Sequence, residues 1–162
     1  MTAPLRGVLD TYADTLPVWT ALTLVAGVAL VAVLAVPTAP PPDATRAANA
    51  AAAVAASDHA AARTIPIQAT AVRLRPGRLA LRNAAGTAHA VLRPRITPAV
   101  TPRLRRVLEG APPGGIYPSV RSFRAAARRV RERSTDASWR PAPRALSVRH
   151  VVLGGADVTL VG

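Results

Sequence analysis

The sequence lacks cysteine and lysine altogether. The absence of cysteine excludes disulfide bonds, thiolate metal sites and a cysteine nucleophile. All 21 basic residues are arginines, and together with eight acidic residues they give a formal net charge of +13. Codon bias in a genome rich in G and C explains this composition without any functional demand for arginine. The charge nevertheless predicts attraction to anionic lipid, nucleic acid or acidic proteins.

Groups that carry out catalysis are also scarce. His59, His89 and His150 are far apart, and no two of them have the i, i+4 spacing of a helical zinc site. Ser57-Asp58-His59 has the composition of a catalytic triad, but sequence neighbours do not face one another on a helix. The acidic residues are too few to favour a catalytic pair of carboxylates. The sequence also contains no glycine-rich phosphate-binding motif. We therefore predict a protein that is not an enzyme and uses no cofactor or metal.

One long apolar run stands near the N-terminus. Residues 18–36 are 19 consecutive uncharged residues. As a helix they would extend roughly 28 Å, close to the ~30 Å hydrocarbon core of a bilayer. Trp19 lies at one end, where an indole favours the headgroup level, and Pro17 and Pro37 flank the run. We predict a single transmembrane helix over residues 18–36 after a short flank over residues 1–17.

Two alternatives compete with an uncleaved anchor. A buried core helix is one, although the run is long for a chain with so little else to cover it. A cleaved signal peptide is the other, but Arg6 is offset by Asp10 and Asp14, which makes a poor basic n-region. Charge does not decide the orientation of the span, because one arginine lies near each end of it: Arg6 before the run and Arg46 after it.

Residues 37–63 predict a junction followed by a stalk. The prolines of residues 37–42 favour a stiff, extended segment. Asp43 is a predicted N-cap for a helix in the alanine-rich sequence that follows. Val54 is the only large apolar side chain there, so we predict a stalk or a lightly packed helix that lifts the next domain from the bilayer. A disordered alanine-rich linker is the alternative.

Residues 64–162 begin with a pattern typical of strands. Apolar and polar residues alternate from residue 64 to residue 71, and the pattern continues into residues 72–75. Two more short runs follow at residues 78–82 and 88–92. Turn signals separate the runs at Pro76-Gly77 and at residues 83–87. These runs predict a three-stranded meander.

Two helices and a hairpin are predicted after the meander. Thr101 and Ser119 are the expected N-caps of helices that end near Gly110 and Arg133. Alternating apolar residues on both sides of Gly154-Gly155 predict a C-terminal hairpin. Strands on either side of two helices indicate a small basic α+β domain with a mostly antiparallel sheet.

Arginines recur at helical spacing on the second of these helices. They are Arg121, Arg124, Arg128 and Arg131. The resulting stripe lies beside an apolar face that carries Phe123, the expected core residue. It is a candidate anion-binding site for phosphates of nucleic acid or for anionic lipid headgroups. A solvated helix face in an arginine-biased protein is the alternative. Because no aromatic stacking platform accompanies the stripe, nucleic acid is the less favoured partner.

Three segments carry a resemblance to a known family: VPTAPPPDA, RLALRNAAGTAHA and SVRHVVLGGADVTLVG. Together with the short N-terminus and the single span, they make residues 17–162 resemble an uncharacterised family of small haloarchaeal membrane proteins. The resemblance implies genes that neighbour those of type IV pilus and secretion-like ATPase and platform proteins, and it implies no catalytic residues. Haloarchaeal proteins are usually acidic, whereas this chain has a net positive charge. Its apolar run also starts well after Arg6-Gly7, unlike a class III pilin signal.

These observations lead to two functional hypotheses. The first is a non-enzymatic, single-pass accessory or pilin-like component of an archaeal surface-appendage or secretion system, with its C-terminal domain outside the cell membrane. Its partners would be the lipid bilayer and the membrane proteins of that system. The second is a membrane-tethered basic module that faces the cytoplasm and binds nucleic acid or anionic lipid. A membrane-bound hydrolase is a residual third hypothesis.

Overall fold

The structure is a computed structural model that describes residues 16–34 and 39–162. The chain divides into two units, Met1–Thr38 and Ala39–Gly162, and the second unit is called the head below. Predictions for residues 1–15 and 35–38, which cover most of the N-terminal flank and part of the proline-rich junction, lie outside the described residues.

Helix α1, Leu16–Leu34, contains 19 residues and no charged side chain. Thr23 Oγ1 donates to the carbonyl oxygens of Trp19 and Thr20, so this hydroxyl is satisfied within its own helix. The large apolar side chains described on α1 are 58–72% exposed, and that of Trp19 is 64% exposed. In the part of the chain that the structure describes, no helix combines the length and the apolarity needed to cross a membrane. The predicted span runs beyond the last described residue of α1, so it stays a prediction.

Helix α2, Ala44–Ala55, begins where the sequence predicts, because the Asp43 side chain accepts a hydrogen bond from the backbone N–H of Arg46 at 2.8 Å. It is not a stalk. Ala44, Ala47, Ala48, Ala51 and Val54 are buried on one face of the helix, and they belong to the same core as the strands. Small side chains let a helix backbone approach a sheet closely, and sequence reasoning that counted only large apolar groups missed this.

Eight strands form two four-stranded sheets in the head. The strands are β1 Ala61–Pro66, β2 Ala71–Arg75, β3 Arg78–Asn83, β4 Gly86–Val91, β5 Thr97–Pro98, β6 Arg140–Pro141, β7 Ala145–Leu153 and β8 Ala156–Val161. The first sheet has the order β1-β7-β8-β5, and the second has the order β4-β3-β2-β6. All pairings are antiparallel except that of β5 with β8. The α+β class with mostly antiparallel pairing is confirmed, with two sheets where one was expected.

The predicted meander is present but is placed differently. Strands β2, β3 and β4 form it, and β3 pairs with both neighbours. The alternating residues 64–71 are not its first strand, because β1 ends at Pro66 and pairs with β7 in the other sheet. The alternation of residues 64–71 runs across the break between these two strands, and alternation alone does not identify the pairing partner.

The two predicted helices of the head are confirmed. Helix α3, Pro102–Leu108, has Thr101 as its N-cap and proline in its first turn. Helix α4, Val120–Arg133, starts with a capping box in which Ser119 and Ser122 each bond the other's backbone N–H. The C-terminal hairpin is also confirmed, since β7 and β8 pair across Gly154 and Gly155, whose φ angles are +52° and +71°.

Two hydrophobic cores lie on opposite faces of the first sheet. One core joins that sheet to α2 and to the inner face of the second sheet, and includes Leu146, Val148 and Leu81. The other joins it to α3 and α4, and includes Val158, Leu160 and Phe123. Alternation along β7 and β8 directs successive side chains into the two cores. Helix α4 therefore has one face fixed by packing and its arginine face left for solvent.

Candidate anion-binding surface

The four stripe arginines line one groove between α4 and the β7–β8 hairpin. The groove has a volume of about 620 Å³, and its other walls include Gly154, Asp157 and Val158. Arg121, Arg124 and Arg128 are exposed, whereas Arg131 is half-buried. Residues three or four apart share a face of a helix, and the structure brings all four of these side chains together.

The four arginines are not equivalent. A guanidinium N–H of Arg124 donates to the carbonyl oxygen of Gly155, which ties α4 to the hairpin turn. Arg131 Nη1 donates to Thr97 Oγ1 at 2.9 Å, which ties α4 to β5. Arg128 Nε lies 3.7 Å from the Glu132 carboxylate, an exposed i, i+4 pair of small energetic value. Arg124 and Arg131 thus tie α4 to the strands, whereas Arg121 and Arg128 make no hydrogen bond to a strand among the described residues.

A second groove adjoins the first and adds three arginines that the sequence did not indicate. Its volume is about 640 Å³. It is lined by Arg75, Pro76, Gly77, Arg78, Arg95, Arg128, Arg131, Glu132 and Thr135. Arg128 and Arg131 line both grooves, so the two grooves share a wall. We call the seven arginines at positions 75, 78, 95, 121, 124, 128 and 131 the arginine surface.

The arginine surface carries little compensating negative charge. Asp157 lines the first groove and Glu132 lines the second. Within residues 16–34 and 39–162, the Arg128–Glu132 contact is the only ion pair within 4.0 Å. Guanidinium groups are always protonated, and a groove lined by charges of one sign concentrates counter-ions. The arrangement can therefore bind anions.

One aromatic ring lies near arginines elsewhere on the head. Trp139 precedes β6, and the Cζ atoms of Arg73 and Arg82 each lie 4.7 Å from its ring centroid. Arg73 and Arg82 lie on the outer face of the second sheet, because they alternate with the buried Val72 and Leu81. Two guanidinium groups already lie over this half-buried ring, so a nucleobase would have to compete with them.

The three histidines are not brought together. His59 and His89 are exposed. His150 is buried, and its Nδ1 lies 3.0 Å from Thr159 Oγ1, a hydrogen bond between paired residues of β7 and β8. In the described part of the chain, no group of three or more His, Cys, Asp or Glu residues could hold a metal ion.

A third groove surrounds Tyr117 and is lined by Arg103, Arg106, Arg129 and Arg133 among others. Burial raises the pKa of the Tyr117 hydroxyl above its usual value of 10.0, and the nearby Arg103 acts in the opposite direction. The ring of Tyr117 packs against Phe123 with centroids 5.3 Å apart, so the residue belongs to the second core. We assign Tyr117 a packing role.

Comparison with known proteins identifies one family. Neither the comparison with curated proteins nor the comparison with solved structures gave a match. A family model described as "Family of unknown function (DUF7283)" matches residues 10–151, which is most of the chain and includes α1 and the arginine surface. The chain therefore belongs to the family of unknown function DUF7283.

Proposed function

We propose that this is a membrane-anchored, non-enzymatic protein whose head binds an anionic bilayer through the arginine surface. The observation that carries the proposal is the meeting of seven arginines around two adjoining grooves that contain two carboxylates. These arginines come from α4, from the strand ends on either side of the β2–β3 turn and from the segment before β5. An arginine close to an anionic membrane contributes about 1 kcal/mol, so several acting together give strong, salt-sensitive binding.

The membrane anchor in this proposal is residues 18–36. Its support is the uncharged sequence, the helical conformation of Leu16–Leu34 and the exposure of the described apolar side chains of α1. Apolar side chains exposed over a whole helix are stable only when lipid or other protein covers them. Few residues separate α1 from the head in sequence, so an anchor here would keep the head close to the bilayer.

Anionic lipid is favoured over nucleic acid because of what surrounds the arginines. Single-stranded nucleic acid is usually bound by stacking platforms together with charge. The residues that line the two grooves include no Phe, Tyr or Trp. Phosphate-rich headgroups need no such platform, since charge and hydrogen-bond donors are sufficient.

Replacing both Arg121 and Arg128 with glutamine is expected to weaken binding to anionic membranes about 30-fold, because two charges of about 1 kcal/mol each are lost. The full chain would be held in nanodiscs of phosphatidylcholine and mixed with sedimenting vesicles rich in phosphatidylglycerol. Insertion of the anchor is checked while the protein is prepared, because a chain whose helix is inserted in lipid should stay with the membranes during a carbonate wash. Binding of the unmodified protein should fall steeply as salt is raised.

Arg46→Gln together with Arg63→Gln is the matched control, because both residues are exposed and line neither groove. This pair removes the same charge and should change binding only a few-fold. Equal losses in the two pairs would mean that net charge alone drives binding, and the arginine surface would then have no special role. Absence of binding at low salt would overturn the proposed function.

A second candidate is assembly into a surface appendage or secretion system. The exposed apolar side chains of α1 favour it, because neighbouring helices can cover such side chains as well as lipid can. The plan of an apolar helix followed by a small α+β head is that of a pilin-like subunit, and the family resemblance implies an archaeal pilus context. Protease treatment of intact cells should release the head. A head that is cut only after lysis would contradict an outward-facing assembly role.

A further inference from the structure

The second groove combines features that a general attraction to negative charge does not explain. It lies between the β2–β3 turn, the segment that carries Arg95 and the C-terminal half of α4. Arg75 and Arg78 stand directly opposite each other in the antiparallel register. Like charges in directly opposed positions destabilise a strand pair. The hairpin thus keeps a repulsive pair at its turn, where an anion placed between the two guanidinium groups would relieve the repulsion.

Arg75 provides an independent indication. Its Nε atom is buried and has no hydrogen-bond partner among the described residues. An unpaired buried donor costs about 1–3 kcal/mol, and more when the group is charged. The guanidinium charge is shared by Nε and both Nη atoms, so an anion bound at the Nη edge would compensate the buried charge, although it would not pair the Nε donor itself.

The remaining walls of the groove also carry positive charge that an anion could neutralise. Arg131 is held in place by its hydrogen bond to Thr97, and Arg95 is an exposed residue of the groove lining. Among the described residues that line the groove, Glu132 is the one carboxylate, and it is paired with Arg128. Four arginines, at positions 75, 78, 95 and 131, are therefore left without an acidic partner within the groove.

We propose that this groove is a binding site for a phosphoryl group, which rests on the proposed function of the arginine surface and names its ligand chemistry. A phosphoryl group presents several oxygens in a tetrahedral array and carries up to two charges, so it can accept paired N–H donors from more than one arginine. A carboxylate has two oxygens and one charge, and it can satisfy fewer of these donors. The phosphoryl group can belong to a lipid headgroup or to a free phosphate.

The test uses the full chain in phosphatidylcholine nanodiscs, with inorganic phosphate and pyrophosphate as probes in titration calorimetry. Separate measurements use vesicles that contain either phosphatidic acid, which has a phosphomonoester headgroup, or phosphatidylglycerol. Arg78→Gln and Arg95→Gln are expected to weaken pyrophosphate binding by about tenfold or more each, since each removes charge-assisted hydrogen bonds. The control pair Arg46→Gln and Arg63→Gln should bind pyrophosphate like the unmodified protein.

A second readout separates a binding site from a purely structural role. Without ligand, Arg78→Gln should raise the melting temperature, because it removes the repulsion with Arg75. Pyrophosphate should raise the melting temperature of the unmodified protein and, at the same concentration, raise that of Arg78→Gln by less, because the variant binds it more weakly. A lower melting temperature for Arg78→Gln in the absence of ligand, combined with unchanged binding, would overturn the site.

The outcomes also separate this site from the proposed function. Selective weakening of phosphatidic acid binding in Arg95→Gln supports a lipid headgroup as the source, and selective weakening of pyrophosphate binding supports a free phosphate. If no phosphate probe binds but phosphatidylglycerol vesicles bind and respond to the Arg121 and Arg128 changes, the phosphoryl site is wrong and the proposed function stands. If no anionic vesicle binds while pyrophosphate does, the membrane-binding function is wrong and the phosphoryl site stands.

Discussion

Replacing Phe123 with alanine is expected to lower the free energy of unfolding of the head by about 3–5 kcal/mol. Phe123 is fully buried in the core between the first sheet and helices α3 and α4. Its ring contacts that of Tyr117, and it is the only phenylalanine in the chain. Removing it leaves a cavity beside several leucine and valine side chains, with no other large aromatic residue apart from Tyr117 to fill the space.

This change is measured by unfolding the full chain with urea in mild detergent and monitoring the circular dichroism signal. Because natural domains are stable by about 5–15 kcal/mol, the alanine variant should lose a large part of its stability and unfold at a clearly lower urea concentration. Phe123→Leu keeps an apolar side chain and should cost about 1.5 kcal/mol or less. Equal stability of the alanine variant and the unmodified protein would mean that α4 is not held by this core, and the arginine surface would lose its support.

Placing an aspartate at Ala51 is expected to destabilise the head by roughly 3–6 kcal/mol. Ala51 is 4% exposed on the face of α2 that packs into the first core. A buried carboxyl group must either remain charged in an apolar site or become protonated, and pKa shifts of 3 or more units cost about 4 kcal/mol or more. If α2 were a stalk held apart from the head, the same change would have little effect.

Ala53 provides the matched control on the same helix. It is exposed, so Ala53→Asp introduces the same charge near the same helix end without burial. We expect a cost of about 0.5 kcal/mol, mainly from a negative charge near a helix C-terminus. Urea unfolding midpoints that coincide for the two variants would contradict the packing of α2 against the sheets.

Local signals in the sequence predicted the local elements well. Asp43, Thr101 and Ser119 each carry a side-chain oxygen that satisfies a free N–H at a helix start, and all three caps are present. Gly154 and Gly155 supply the positive φ angles of the hairpin turn. Each of these signals acts within a few residues, so the surrounding fold is not needed to interpret it.

Part of the arginine surface was predictable for the same reason. Arg121, Arg124, Arg128 and Arg131 recur with the helical period, and the period alone places them on one face. Arg75, Arg78 and Arg95 were not predicted, because only the tertiary fold brings them to the same groove as residues of α4. The one signal available in the sequence was a pair of arginines on either side of Pro76-Gly77, since residues flanking a two-residue turn oppose each other.

The sequence by itself determined the composition, the arginine charge, the uncharged run of residues 18–36, the helix caps and the hairpin turns. Only the tertiary structure decided that β1 pairs with β7 across 79 residues, counted from Pro66 to Ala145, and that the strands divide between two sheets. It also decided that the alanine face of α2 is buried. Strand pairing and helix docking depend on the total apolar area buried by distant segments, and no local pattern encodes that sum.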